Sequence, residues 1–171
     1  MRRALIFIAI ILAGAVLAAR EWRRAPQIPV QIAAISAIAR GVATGTVTYV
    51  FDGDTIEVAD SERVRYIGMN APEVAHPEKL EQCFGREAME RNRELVMGKE
   101  VRLVPDAENR DKYGRLLRYV WVGDTFVDLA LVREGYARVL AIPPNILHAS
   151  EFKAAEQEAR QQERGLWSRC K

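Results

Sequence analysis

Three charged residues begin or interrupt short apolar runs of this chain, and their positions suggest a site. Asp54 begins DTIEV, Arg65 precedes YIGM, and Arg115 begins RLLRYVWV. If the runs are β-strands, each charged side chain shares a face with apolar residues two and four positions further on, so it should point inward. A buried charge requires an opposite charge or several donors. The pattern predicts a charged site at the mouth of a small β-structure; the alternative is three fraying strands whose last residues are exposed.

A stiff segment with oxygen donors, Asn70-Ala71-Pro72-Glu73, follows the second of these residues. Pro72 has a fixed φ and confines Ala71 to an extended conformation, so Glu73 is presented at a set angle. Hard cations such as calcium prefer oxygen ligands, which the carboxylate of Asp54, the amide of Asn70 and a backbone carbonyl would provide. The two histidines are far apart and no Cys/His pair is close in sequence, so the pattern does not suit zinc.

Two arginines, a hard-cation site and one remaining carboxylate suit the hydrolysis of a phosphate ester. The cation and the guanidinium groups of Arg65 and Arg115 would stabilise the extra negative charge of a five-coordinate phosphorus. Glu73 would orient or deprotonate the attacking water. The sequence therefore indicates a phosphate-ester hydrolase.

The elements that must position these residues are short, and their order suggests a barrel. Turn signals such as Asp-Gly separate the β-rich runs, and helix-like stretches follow the third and fifth runs. The predicted strands are 41–50, 54–58, 63–69, 99–106 and 115–123, and the predicted helices are 83–98, 127–136 and 150–165. This layout predicts an α+β fold, namely a five-stranded OB-fold β-barrel with three flanking helices.

An N-terminal hydrophobic signal or anchor helix is expected before the barrel. Met1-Arg2-Arg3 precedes the uncharged residues 4–19, which is the pattern of an export signal. Arginines after the apolar stretch disfavour cleavage, whereas the stretch is short for a bilayer-spanning helix. We expect either a cleaved signal peptide or a membrane anchor over 1–24, a linker over 25–40, and the folded domain over 41–171. Both alternatives place the domain outside the cytoplasm, either secreted or anchored to the membrane by the N-terminal helix.

The charge of the chain excludes a uniformly basic nucleic-acid-binding protein. The net charge of +2 is due to residues 1–24, which hold five of the 25 basic and one of the 23 acidic residues. The remainder, with 20 basic and 22 acidic residues, is slightly acidic. A polyanion would therefore have to be bound locally, by a few arginines or by a metal ion.

Cys83 and Cys170 are the two cysteines of the chain. In an exported protein, an even number of cysteines without a CxxC motif favours a structural disulfide. The alternative is a pair of free thiols.

The runs FDGDTIEV, VRYIGMNAPE and RDKYGRLLRYV, followed by ALVREGYARV, IPPN and a late GLW, closely resemble the staphylococcal nuclease (thermonuclease) family. The resemblance covers about residues 44–168. It implies an OB barrel with three helices and calcium-dependent hydrolysis of DNA and RNA that leaves 3′-phosphates. It also implies that Asp54, Asn70 and the backbone carbonyl of Ala71 are calcium ligands. Because Asn70 replaces an aspartate of the best-known members, we expect weaker calcium binding.

The same resemblance implies roles for the other site residues. Arg65 and Arg115 match the two arginines that bind the phosphate, and Glu73 matches the general base or water-orienting glutamate. Lys112 and Tyr113 match positions that contact the nucleotide. The alternative is an OB-fold nucleic-acid-binding module that has lost catalysis, but such a copy should lack at least one of the three catalytic residues. We expect a monomer whose partners are nucleic acid and, if the N-terminal segment is retained, a membrane.

Overall fold

The computed structural model describes residues 41–77 and 80–170. The signal or anchor expected over 1–24 and the linker expected over 25–40 lie outside these residues. Within the described part of the chain, none of the helices has the length and apolar character needed to cross a membrane.

The described residues form eight short strands and four helices, joined by loops. The strands are β1 Ala43–Val50, β2 Thr55–Val58, β3 Glu62–Tyr66, β4 Gly68–Asn70, β5 Glu100–Val104, β6 Leu116–Val122, β7 Thr125–Phe126 and β8 Arg138–Leu140. The helices are α1 Gly85–Val96, α2 Val127–Arg133, α3 Ala149–Gln161 and the single turn α4 Leu166–Arg169, with a 3₁₀ turn over Ala59–Ser61.

Five of the strands form a closed barrel. They pair in the order β3-β2-β1-β5-β6, and a parallel pairing of β3 with β6, in which Val64 lies opposite Leu116, closes the ring. The interior is filled by apolar side chains of the barrel strands, among them Val47, Ile56, Val64, Val101 and Val120. The predicted α+β class and the five-stranded barrel with helices are therefore confirmed. The short strands β4, β7 and β8 were not expected.

The predicted face of Arg65 is wrong. Within β3 the buried side chains are Val64 and Tyr66, so Arg65 lies on the opposite face, together with Arg63. The alternation cannot be extended to Met69, because the chain turns at Gly68, which has a φ of +84°. A Cβ at Gly68 would lie 2.5 Å from the Phe152 ring of α3, so this turn requires glycine. After it, β4 leaves the barrel and pairs with β8.

A disulfide joins the segment before α1 to the end of the chain. Cys83 and Cys170 have an S–S distance of 2.09 Å and a sequence separation of 87 residues. A cross-link that closes so long a loop restricts the unfolded chain, and such bonds typically stabilise a domain by about 2–4 kcal/mol.

Asp128, in the first turn of α2, is a fully buried carboxyl group. Its two oxygens accept the N–H of Val120 at 3.3 and 3.2 Å. Burial raises the pKa of Asp128 well above its ordinary value, and backbone hydrogen bonds offset only part of this effect.

We predict that Asp128→Asn stabilises the protein increasingly as the pH rises. Because the folded-state pKa of Asp128 is raised, its contribution to stability is complete below the unfolded pKa of about 4 and is lost as the pH rises towards the folded value. Asparagine keeps an acceptor for Val120 and does not ionise. Thermal melts of the variant and the wild type should agree near pH 4 and diverge at neutral pH. A variant that is equally or less stable at both pH values would contradict this account.

Candidate active site

Asp54 lies in the tight turn between β1 and β2 and is almost completely buried. Its Oδ1 accepts a hydrogen bond from Thr55 Oγ1 at 3.1 Å, and its Oδ2 accepts the Ala71 N–H at 2.7 Å. The Asp54 N–H in turn donates to Asp52 Oδ1 at 2.8 Å. A Cβ at Gly53 would lie 2.5 Å from Ala71 Cβ, so only glycine allows this turn to approach the segment that carries Ala71.

Arg65 is the counter-charge of Asp54. Its Nη2 lies 3.1 Å from Asp54 Oδ2 and donates to Asn70 Oδ1 at 2.9 Å. Its Nη1 donates to the carbonyls of Tyr66 and Met69 at 2.9 and 3.1 Å. The Arg65 side chain is only 12% exposed. One guanidinium group thus joins the buried carboxylate to the turn between β3 and β4.

The charge around Asp54 is nevertheless not balanced. The pKa of Asp54 is raised overall to about 7: burial raises it most, Arg65 offsets part of this effect, and the neighbouring carboxylate of Asp52 raises it further. Two carboxylates and one guanidinium group leave an excess of negative charge, which a further cation would neutralise. Asp52 is a residue that the sequence reasoning missed, although the repeated carboxylate of Asp-Gly-Asp was a visible signal.

The oxygen donors around Asp54 fit a hard cation rather than a soft one. In the described residues, no cluster of three or more Asp, Glu, His or Cys side chains could hold a metal ion. A cation bound here would therefore need amide or backbone oxygens beside the carboxylates of Asp52 and Asp54. Asn70 and Ala71 are next to these carboxylates, but the Asn70 Nδ2 donates to the Ala71 carbonyl at 3.1 Å. The Asn70 amide would have to turn away from Ala71 before Asn70 Oδ1 and the Ala71 carbonyl oxygen could both be ligands.

Two hydrogen bonds with Gln82 hold the backbone of Glu73 in place. Gln82 Oε1 accepts the Glu73 N–H at 3.1 Å, and the Gln82 N–H donates to the Glu73 carbonyl at 2.9 Å. A Cβ at Gly85 would clash with that carbonyl, so glycine is required where α1 begins. Gln82 is next to Cys83, and the disulfide to Cys170 fixes this segment. Gln82 was missed from the sequence, because no local pattern indicates a side chain that binds a backbone nine residues away.

Arg115 is positioned by Asp111 in the turn before β6. Asp111 Oδ1 accepts the N–H groups of Tyr113 and Arg115, and Asp111 Oδ2 lies 2.7 Å from both Arg115 Nε and Nη2. Burial raises the pKa of Asp111, but the hydrogen bonds from Arg115 outweigh it and the pKa is lowered overall. Arg115 Nη1 lies 3.5 Å from Thr55 Oγ1, so the guanidinium group reaches the rim of the Asp54 turn.

A groove lies beside Glu73 and Arg115. It has a volume of about 400 Å³ and is lined by these two residues together with Arg63 and Tyr113. A second pocket of about 250 Å³ lies beside Arg65 and Arg115. Its other lining residues include the apolar side chains of Leu117, Leu140 and Ile142. A negatively charged group in the groove would meet a guanidinium group and a carboxylate, which is the combination needed to bind an anion and to activate water beside it.

The structure brings most of the predicted site residues together. Asp54, Arg65, Asn70 and Ala71 form one hydrogen-bonded cluster. Glu73 and Arg115 line the groove. Tyr113 is 72% exposed at its rim, with the Lys112 ammonium group 5.0 Å from the ring centroid. Cys83 and Cys170 do not line the groove; their disulfide cross-links the segment of Gln82, which holds Glu73.

Comparison with known proteins finds similarity to one family of nucleases. The model of the staphylococcal nuclease homologue family matches residues 63–169. A thermonuclease of Staphylococcus intermedius is 38% identical over 123 residues, which cover 70% of this chain and 73% of that protein. Endonuclease YncB of Bacillus subtilis is 39% identical over 129 residues, 72% of this chain and 61% of YncB. The SPbeta prophage-derived endonuclease YokF of the same organism is 41% identical over 123 residues, 69% of this chain but 42% of YokF.

Proposed function

The chain belongs to the staphylococcal nuclease family, and we propose that it is a calcium-dependent nuclease that hydrolyses phosphodiester bonds of DNA, and also of RNA, to leave 3′-phosphates. One arrangement supports this proposal above all. Glu73 and Arg115 line the same groove, and the cluster of Asp54, Arg65 and Asn70 lies next to it. A phosphodiester in this groove would have an anion-binding group, a base and a hard-cation site within reach.

In the proposed reaction, Arg115 and Arg65 bind the non-bridging oxygens of the phosphate and stabilise the charge that develops on them. Glu73 accepts a proton from water, whose oxygen forms a bond to phosphorus. The bond from phosphorus to the 5′-oxygen breaks and that oxygen takes up a proton from solvent water, which gives a 3′-phosphate and a 5′-hydroxyl. Arg115 must exchange part of its ion pair with Asp111 for the phosphate, since both oxygen groups compete for the same N–H donors.

The proposed calcium ligands are the carboxylate of Asp54, the amide oxygen of Asn70 and the backbone carbonyl of Ala71, with Asp52 as an additional carboxylate. Calcium would supply positive charge beside the phosphate when bound. The pKa of Asp54 is raised, mainly by burial and further by the carboxylate of Asp52, and a cation bound beside it would favour its ionised form. Because Asn70 is neutral, the set carries one negative charge fewer than it would with an aspartate there, and affinity falls with the charge of the ligands.

We also propose that the protein lies outside the cytoplasm, either secreted or anchored to the membrane by its N-terminal apolar segment. The apolar residues 4–19 support this proposal from the sequence. The Cys83–Cys170 disulfide supports it from the structure, since such bonds persist in oxidising compartments.

The central prediction is calcium-dependent hydrolysis. Full-length protein in detergent should degrade plasmid, single-stranded DNA and RNA with calcium and not with a chelator, and mass spectrometry should find 3′-phosphates on the products. Circular dichroism under both conditions shows whether the protein is folded. Folded protein with negligible hydrolysis in both conditions would support a non-catalytic binding module instead, and equal hydrolysis in both would contradict the proposed metal.

We predict that Arg115→Ala lowers kcat by about 10²-fold or more, because the guanidinium group acts on the charge that develops in the transition state. The loss of its partly exposed ion pair should cost at most about 1 kcal/mol of stability. Arg91→Ala is a matched control, because Arg91 is 29% exposed, forms an ion pair with Glu134 at 2.7 Å and does not line the groove. Near-normal kcat for Arg115→Ala, as expected for the control, would remove Arg115 from the site.

Asn70→Asp should bind calcium more tightly, as measured by isothermal titration calorimetry. The substitution adds a negative charge and removes the amide donor that now occupies the Ala71 carbonyl. Asn109→Asp adds the same charge elsewhere and is a matched control, because Asn109 Oδ1 also accepts a hydrogen bond from an arginine, Arg118. Unchanged or weaker binding by Asn70→Asp would mean that Asn70 is not a ligand.

A further inference from the structure

Two aromatic side chains and an arginine form a row on the outside of the barrel, next to the groove. The rings of Tyr49 and Phe51 are 4.8 Å apart and meet edge to face. The Arg63 guanidinium carbon lies 4.5 Å from the centroid of the Phe51 ring. Tyr49 is 51% exposed, although a tyrosine ring is largely apolar. We call Tyr49, Phe51 and Arg63 the aromatic–arginine row; neither the proposed catalysis nor the proposed calcium site uses it.

Arg63 is unusual among the arginines near the site, because its charge is not paired. Among the described residues its side chain makes no hydrogen bond and no ion pair, and its guanidinium group lies over the Phe51 ring. By contrast, Arg65 and Arg115 are each bonded to a carboxylate. Stacking on Phe51 restricts the orientation of the guanidinium plane and leaves its N–H donors open to solvent, so Arg63 can bind an anion without breaking an existing ion pair.

The row is continuous with the groove. Arg63 lines the groove together with Glu73 and Arg115. It lies on the same face of β3 as Arg65 and two residues before it, which separates the two Cα atoms by about 7 Å. Successive phosphates of an extended strand have a comparable spacing. A nucleic-acid strand with one phosphate near Arg65 would therefore bring a neighbouring phosphate to Arg63.

We propose that the aromatic–arginine row binds the part of a single-stranded nucleic acid that flanks the scissile phosphate. Arg63 binds the flanking phosphate, and Tyr49 stacks on the base attached to it. Phe51 is a positioning residue, since its ring contacts both the Tyr49 ring and the Arg63 guanidinium group. This inference rests on the proposed function and adds a subsite that only a single strand can fill, because a duplex keeps its bases stacked inside and offers none to Tyr49.

Glu57 limits the strength of this subsite. It lies between the two ends of the row, opposite Tyr49 in β1 and opposite Arg63 in β3. Its Oε1 is 3.3 Å from Thr48 Oγ1, a hydrogen bond that leaves the negative charge in place. This charge opposes a phosphate at Arg63, so Glu57→Gln should bind single strands more tightly than the wild type.

Fluorescence anisotropy with the full-length protein and a labelled 12-nucleotide single strand, in the presence of chelator, tests the inference without cleavage. Arg63→Gln should weaken binding about tenfold and lower the dependence of log Kd on log salt by about 0.7, the value for one phosphate contact on a single strand. Arg63→Lys should recover most of the affinity. Arg102→Gln is the matched control, because Arg102 also stacks on a ring, 4.8 Å from the Trp121 centroid, but does not line the groove.

Tyr49→Ala should weaken binding of the single strand and leave binding of a duplex of the same sequence unchanged, whereas Tyr49→Phe should bind both like the wild type. Equal affinities for Arg63→Gln and Arg102→Gln, or no binding by the wild type, would overturn the inference. Its failure can be distinguished from failure of the proposed function. A protein that binds through Arg63 but never hydrolyses would contradict the nuclease, and one that hydrolyses without any effect of Arg63→Gln on binding would contradict the subsite.

Discussion

The buried ion pair of Asp54 and Arg65 is the interaction on which the rest of the site depends. The pair joins the turn before β2 to the chain as it leaves β3, and the remaining donors of Arg65 fix the carbonyls of Tyr66 and Met69 and the Asn70 side chain. Burying two charges costs free energy that their attraction barely recovers, so the pair is better explained by the geometry it imposes than by stability. It holds the segment from Asn70 onwards against the barrel.

A second constraint acts from the other side of the groove. The backbone of Glu73 is bonded to Gln82, Gly85 allows α1 to begin in contact with the Glu73 carbonyl, and the disulfide of Cys83 anchors the same segment to the end of the chain. The cation ligands thus depend on the barrel, whereas the carboxylate of Glu73 depends on α1 and the C-terminus. Pro72 lies in the chain between the cation ligands and Glu73. Its fixed φ limits how far one of these two parts of the site can move relative to the other.

Periodicity in the sequence predicts the site only where a strand is regular. Asp54 shares its alternation with Ile56 and Val58 in β2, and all three are buried as expected. For Arg65 the same reasoning fails, since Gly68 ends the alternation and β4 starts in a new direction. Such a break depends on contact with α3, which no local pattern encodes. Strands of two or three residues, such as β7 and β8, are too short to alternate at all.

Arg65 has two roles that compete for the same donors, and this links metal binding to substrate binding in the proposed reaction. Its Nη2 forms the ion pair with Asp54 and donates to Asn70. A cation at the carboxylates would take over that charge, and the guanidinium group would gain freedom to bind a phosphate. A bound phosphate would in turn draw Arg65 away from Asp54 and would favour the cation. Such coupling is reciprocal by thermodynamic necessity. Because Asn70 is neutral, Arg65 is held less strongly here than it would be beside an aspartate. The residue proposed to weaken calcium binding would therefore also make Arg65 easier to release.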